Sequence, residues 1–492
     1  MVYRCCLSVL LLSCSIAFAD SKTSPKGPAQ VGASTQLPVT TSSPQARTDF
    51  EAAMQNFEQY RLDTTLQFLR AATKSDPKFA QALIMIAKIS KDPAEQAEAR
   101  QQAKRLAPAV SPGEQLLIVW LAGVQEDNYL QAIAAMNDLL AKYPHDARLA
   151  FLAGDWLTLQ ERYQQAAVVL ERALSILPDY PAVLNDLGYT YAFNGDFEKA
   201  FAAMDRYIAL VPNEPNPHDS YGEILRMDGK FEAALEQYRA SVRMDPNFGS
   251  ELGVADTLAL MGKEENAREE YERAIVFAGS QGDKVQFELQ SALTWIREGN
   301  HKRAEKALAE VARHAHAAGL GRLEAEAHRV LAMYEPDSRL ALREVRAAEY
   351  ALQEPHEISV TDRDEEHARI LRVQAARSID AQDMDSASKA LTQLDAMAEK
   401  SPSQVIERCD HGAAGTILVA QGKYAEAISH LQEDSADPMS MRLLWRAYSN
   451  TGAASDARAV AAKLAALNVP TVEQALVVPQ FRASLVSQAR QP

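Results

Sequence analysis

From about residue 46 onward the chain repeats one pattern: apolar residues at i, i+3, i+4 and i+7 over segments of twelve to sixteen residues, then a short break of Gly, Asp, Asn or Pro. That period belongs to a helix with one buried face, and the breaks are helix punctuation, so the pattern predicts one amphipathic helix after another. Val, Ile and Thr runs of strand type are few, and alanine recurs at helical spacings, which points away from sheet. The stretch around "NDLGYTYAFNGDFEKA", Asn185 to Ala200, shows the unit. Leu184, Leu187 and Tyr191 share one face of a first helix, and Gly188 on that face lets a second helix come close. Asn194-Gly195-Asp196 supplies a left-handed residue and a cap. Phe197, Ala200, Met204, Tyr207 and Ile208 then carry the buried stripe to Pro212.

The unit recurs at a fixed period. Gly154, Gly188 and Gly222; Tyr129, Tyr163, Phe197 and Phe231; Ala132, Ala166, Ala200 and Ala234; and Pro144, Pro178, Pro212 and Pro246 all step by 34 residues. Four independent series on one period resemble the tetratricopeptide repeat family, whose helix-turn-helix unit pairs a small residue in its first helix with an aromatic, an alanine and a closing proline in and after its second. A single helix pair cannot cover its own apolar face, so the units must stack, and the fold class expected is all-α, an α-solenoid. The pattern continues with losses: Leu62, Leu69, Ala72 and Pro77 fit a first unit, Glu264 replaces the aromatic of one joint, and Gly415, Gly422, Tyr424, Ala427 and Leu431 fit a late one. Leu320 to Ser359 fit worst, reading as two helices with "QEPHE" as a break, and a bend or a division into two sub-arrays is expected around Pro355. Thr361-Asp362-Arg363-Asp364 reads as the capping box of the next helix.

Residues 1–19 read as an export signal, with Arg4 before the apolar "CCLSVLLLSCSI" and Ala17-Phe18-Ala19 as the cleavage site ahead of Asp20. A second reading cuts before Cys14 to give a lipoprotein, although Leu12 departs from the small residue such signals prefer. Residues 20–45, rich in Ser, Thr, Pro and Gly, are expected to form an unstructured linker. The remaining divisions expected are a repeat array over 46–318, a degenerate array over 319–468, and a capping helix or tail over 469–492. Cleavage at Ala19 leaves Cys409 as the one cysteine, so a disulfide scaffold is ruled out. No segment after the signal is apolar enough to cross a bilayer. With no permissive Asn-x-Ser/Thr site, a bacterial envelope is favoured, and the compartment expected is the periplasm or the exterior.

The formal net charge of −15 gives a field that repels nucleic acid, so a nucleic-acid partner is excluded. The chain has no room for a βα-rich catalytic domain, and no phosphate-binding Gly-rich loop follows a strand. Cys409-Asp410-His411 groups a thiol, an acid and an imidazole, yet residues two apart on a helix point about 200° apart, so a packed cysteine is expected. His314 and His316 fail the same geometry for a metal, and His356-Glu357 has no second histidine four residues on. Asp362, Asp364, Glu365, Glu366 and His367 read as an acid-rich helix start that complements the dipole. The expectation is therefore no catalytic residue, no metal and no cofactor.

What remains is surface. In solenoids of the family resembled, first helices line the concave face, and an extended peptide is gripped there. The matching positions here are Leu117, Ile118 and Leu121; Phe151 and Asp155; Asn185, Asp186, Tyr189 and Phe193; and Asp219, Glu223 and Arg226. They describe an aromatic and acidic groove. The cations with which some family members hold a tail carboxylate are missing from the corresponding positions Phe151, Asp155, Asp186, Asn216 and Ser220. The function expected is a non-catalytic exported scaffold or adaptor for a protein segment. The alternatives are an assembly factor for pilus or outer-membrane machinery and a regulatory protein associated with an enzyme. Oligomeric state is not legible.

Overall fold

The computed structural model describes residues 36–353, 358–401 and 403–489. Among them the chain forms twenty-five α-helices and one short 3-10 turn, with no strand, as the period predicts. Each helix packs against its neighbours in sequence, and the first helices of successive pairs, such as Ala147–Leu159, Pro181–Phe193 and Pro215–Met227, also pack against one another. That inner row makes the array an α-solenoid with first helices on its concave side. The bend expected at Pro355 falls outside the described residues, but Ser338–Gln353 packs on Val360–Asp380, so stacking continues past it.

The local chemistry follows the sequence signals. Asp196 accepts the Lys199 backbone N–H at 3.3 Å to cap Phe197–Leu210, and Gly195 turns the chain with φ of +83°. A Cβ added to Gly154, Gly188, Gly222 or Gly415 would lie 2.4, 2.2, 3.0 or 2.5 Å from Leu170, Met204, Tyr238 or Leu431 respectively. Each partner stands sixteen residues on, so the small residue does admit the second helix. Ala132, Ala166, Ala200 and Ala234 are all fully buried.

Three boundaries differ from the sequence reading. Part of the expected linker, residues 36–43, lies along the array as a strap: the Leu37 N–H donates to Asp146 at 2.9 Å, the Thr40 N–H to buried Glu114 at 2.8 Å, and the Thr41 hydroxyl to Asp76 at 2.6 Å. Its small polar side chains are the reason it reads as unstructured, and the acids that hold it lie far along the chain. The helix after the degenerate segment is capped by Ser359, which accepts the Asp362 N–H at 3.0 Å. Thr361 is used elsewhere: its hydroxyl donates to the Val124 carbonyl at 2.7 Å and accepts the Asp127 N–H at 3.1 Å. The C-terminal helix Val472–Ala489 does more than cap the last repeat, because it packs on Gln281–Arg297 as well as Pro438–Thr451.

Those long contacts show how the solenoid winds. Asp127 meets Thr361 and Ser401, 234 and 274 residues on, and Glu161 meets Arg408, 247 residues on. At 34 residues per unit this is roughly seven repeats per superhelical turn, so the second turn lies against the first.

Candidate functional site

The predicted groove splits once the chain is wound. Leu117, Ile118, Leu121, Phe151, Asn185, Asp186 and Arg226 are buried; Asp155, Tyr189, Asp219 and Glu223 are half-buried; Phe193 alone is exposed, at 43%. The covering element is the turn after the first helix. Phe57 and Tyr60 pack their rings on Phe151 at centroid distances of 5.3 and 6.2 Å. The Tyr60 hydroxyl donates to Asp186, Glu58 pairs with Arg148 at 2.6 Å, and Arg61 pairs with Glu214. Burial, reinforced by the charge of Asp155, raises the Asp186 carboxyl well above its usual range. Sequence spacing held no signal for what the superhelix would bring opposite these helices.

The remaining acids of that groove are engaged too. Lys88 reaches Asp155 at 2.7 Å, Tyr189 donates to Glu223 at 2.8 Å, and Arg226 bridges Glu223 at 2.8 Å and Asp256 at 3.1 Å. Burial pushes Asp219 up to about 6. Phe193 stacks on Tyr163 at 5.2 Å and on Tyr189 at 6.2 Å.

Tyr163 leads to a second surface that the sequence reading did not single out. A cavity of about 710 Å³ lies between Glu161 and Tyr163 of the first superhelical turn and the helices Val360–Asp380, Gln404–Ala420 and Pro438–Thr451 of the second. Among its described lining residues seven arginines face five carboxylates. Arg372 is held by Asp434 at 2.8 Å and Asp437 at 3.1 Å, Arg329 by Glu366 at 2.6 Å, and Arg408 by Glu161. Arg442 and Arg446 are exposed and make no ion pair among the described residues. A signal existed: Arg369 and Arg372, and Arg442 and Arg446, repeat at helical spacing on late first helices, beyond the regular 34-residue block.

The groups that looked catalytic have other employment. Cys409 is buried in a hydrophobic cluster, and burial pushes its thiol up to about 12, so it stays protonated at neutral pH. The His411 Nδ1 faces the His430 Nδ1 at 3.1 Å rather than the thiol. His314 and His316 turn to different carboxylates, Glu288 at 2.7 Å and Glu324 at 3.0 Å. Of the acid-rich helix start, Asp362 serves Ser359, Glu365 accepts from Ser403 at 2.8 Å, and Glu366 holds Arg329. Among the described residues no group of three or more His, Cys, Asp or Glu is placed to hold a metal ion, and no helix is long and apolar enough to cross a membrane.

Comparison with known proteins bears on the repeats. Sequence models of the tetratricopeptide repeat match residues 120–181, 157–223 and 222–283, so this part of the chain carries repeats of that family. No curated protein sequence matches the chain. Among solved structures it is similar to the crystal structure of the APC/C hetero-tetramer Cut9-Hcn1, at 17% identity over 82% of this chain and 76% of that one, with a TM-score of 0.42. It is also similar to the MamA protein, at 16% identity over 35% of this chain and 92% of that one, with a TM-score of 0.28. Pseudomonas aeruginosa pilF is similar at 14% identity over 52% of this chain and 94% of that one, with a TM-score of 0.30.

Proposed function

We infer that this chain, built on tetratricopeptide repeats that commonly mediate contacts between proteins, is an exported, non-catalytic scaffold that holds a segment of a partner protein in the cavity between its two superhelical turns. The observation that carries this reading is the cavity itself. It is open, lined from both turns, and large enough for several side chains of a partner, at about 710 Å³. The acidic and aromatic lip at Tyr189, Phe193, Asp219 and Glu223 adjoins it through the stack of Phe193 on Tyr163. The buried members of the predicted groove, Leu117, Leu121, Phe151, Asn185, Asp186 and Arg226, serve in this reading as its framework, and Asp155, paired with Lys88, acts on Asp186 through its charge.

Export is supported by the residue pattern of 1–19, which lies outside the described residues; an intact mass beginning at Asp20 is the check. The binding claim is tested by selecting peptides from a random library on the purified chain and measuring them again on Ala376→Trp, which places an indole in the cavity from its half-buried lining position. Selected peptides should lose affinity by roughly tenfold or more, equivalent to about 1.4 kcal/mol. Unchanged affinity, with the fold intact by circular dichroism, would place the binding surface elsewhere.

A further inference from the structure

Resting on that reading, we propose that the segment held in the cavity is extended and acidic, with side-chain carboxylates at alternate positions that pair with Arg442 and Arg446. Three observations support this. The chain carries a net charge of −15, yet the described lining of this cavity reverses that sign, with seven arginines to five carboxylates. Its five carboxylates are also spent: Asp434 and Asp437 on Arg372, Glu161 on Arg408, Glu473 on Arg329 at 3.7 Å, and Asp380, the acid whose charge reaches Arg442, on Arg377 at 2.8 Å. Arg442 and Arg446 are left exposed in the lining with no anion among the described residues. A guanidinium keeps its charge at any physiological pH and binds carboxylates through a fork of donors, so two unpaired arginines in a cleft select for acids.

The cavity already accepts one carboxylate from a distant part of the chain. Glu161 enters from the first superhelical turn to meet Arg408, and does so from a left-handed backbone position with φ of +56°. A carboxylate delivered on a turn is thus a group this surface binds within its own fold.

The spacing narrows the segment. Arg442 and Arg446 stand four residues apart on Pro438–Thr451, so their side chains leave the helix about 5–6 Å apart on one face. Alternate residues of an extended strand lie about 7 Å apart on one face, which matches that interval, whereas adjacent residues point to opposite sides. The carboxylates concerned are those of side chains within a segment, so a free chain end is not required.

The probes are short fluorescent peptides blocked at both ends, with glutamate at alternate positions, and their glutamine and lysine counterparts. Anisotropy is measured on the full chain at low and high salt. The glutamate peptide should bind, the glutamine peptide should be weaker by roughly tenfold or more, the lysine peptide should not bind, and high salt should weaken the interaction. The double variant Arg442→Glu/Arg446→Glu should invert the order. Both positions are exposed, so a folded variant is expected, and its circular dichroism melt confirms it. Equal binding of the glutamate and glutamine peptides, preference for lysine, absence of binding by every probe, or indifference to the double variant overturns the inference. Neutral or basic peptides that are selected from the library and lost in Ala376→Trp would overturn it while leaving the proposed function intact.

Discussion

Glu264 occupies a helix joint where Tyr129, Tyr163, Phe197 and Phe231 stand in the regular repeats. One of its carboxylate oxygens is buried without a hydrogen-bond partner. Burial pushes the carboxyl up to about 7, and the neighbouring Glu298 adds to this, against the pull of Arg297 and Arg268. The folded chain therefore holds this proton more tightly than the unfolded one. Stability from this group is fully present below about 4.5, its ordinary value, and is lost as pH rises through about 7. Urea unfolding should show wild type losing about 1–2 kcal/mol relative to Glu264→Gln between pH 5 and pH 8, a discounted figure because the group is only half-buried. A difference that stays flat over that range would mean the carboxyl is not buried as described. The exchange of aromatic for glutamate was legible in the sequence; its protonation was not, since that depends on the depth of the joint.

At the scale of the helix pair, close approach through glycine recurs in the four pairs from Gly154 to Gly415, and their common spacing was readable from the period. A fifth case was not. Gly253 lies off the 34-residue series, yet a Cβ there would stand 2.1 Å from the ring of Tyr238, which already faces Gly222. The buried Tyr238 ring is held between first helices of successive repeats and has nowhere to go. Gly253→Ala should destabilise the chain by about 1–3 kcal/mol through overpacking. Gly188→Ala meets the terminal methyl of Met204, which can rotate away, and gains about 1 kcal/mol of helix propensity, so it should stay within about 1 kcal/mol of wild type. Comparable losses in the two melting curves would show that ring and methyl yield alike. Local pattern reveals which helix faces a helix; it does not reveal which side chain of the next repeat lands on a glycine.

Across the whole molecule, the superhelical turns are tied by residues that break a local rule. Tyr60, Asp127, Glu161 and Gln382 have φ between 55° and 61°, in the left-handed region that glycine occupies at Gly195, Gly229 and Gly422 with φ of 83°, 78° and 73°. A side chain in that region costs about 1–2 kcal/mol. Three of the four spend it on long-range contacts: Tyr60 on Asp186, Asp127 on Ser401 at 2.5 Å, and Glu161 on Arg408. Restoring glycine with Asp127→Gly/Glu161→Gly should relieve each turn while releasing the second superhelical turn from the first. Small-angle scattering should then give a larger radius of gyration with helix content unchanged. An unchanged radius would mean that stacking alone holds the turns together.

The sequence by itself determined the helices, their pairing, the 34-residue unit and the small residues at its joints, because each depends on neighbours within one or two repeats. Only the tertiary structure decided which inner residues stay open to a partner. Roughly three to four repeats of rotation bring the Tyr60 turn onto Phe151 and Asp186, and about seven carry Glu161 to Arg408. Small angles between stacked units add up along the array, and no local pattern of apolar and polar residues records their sum.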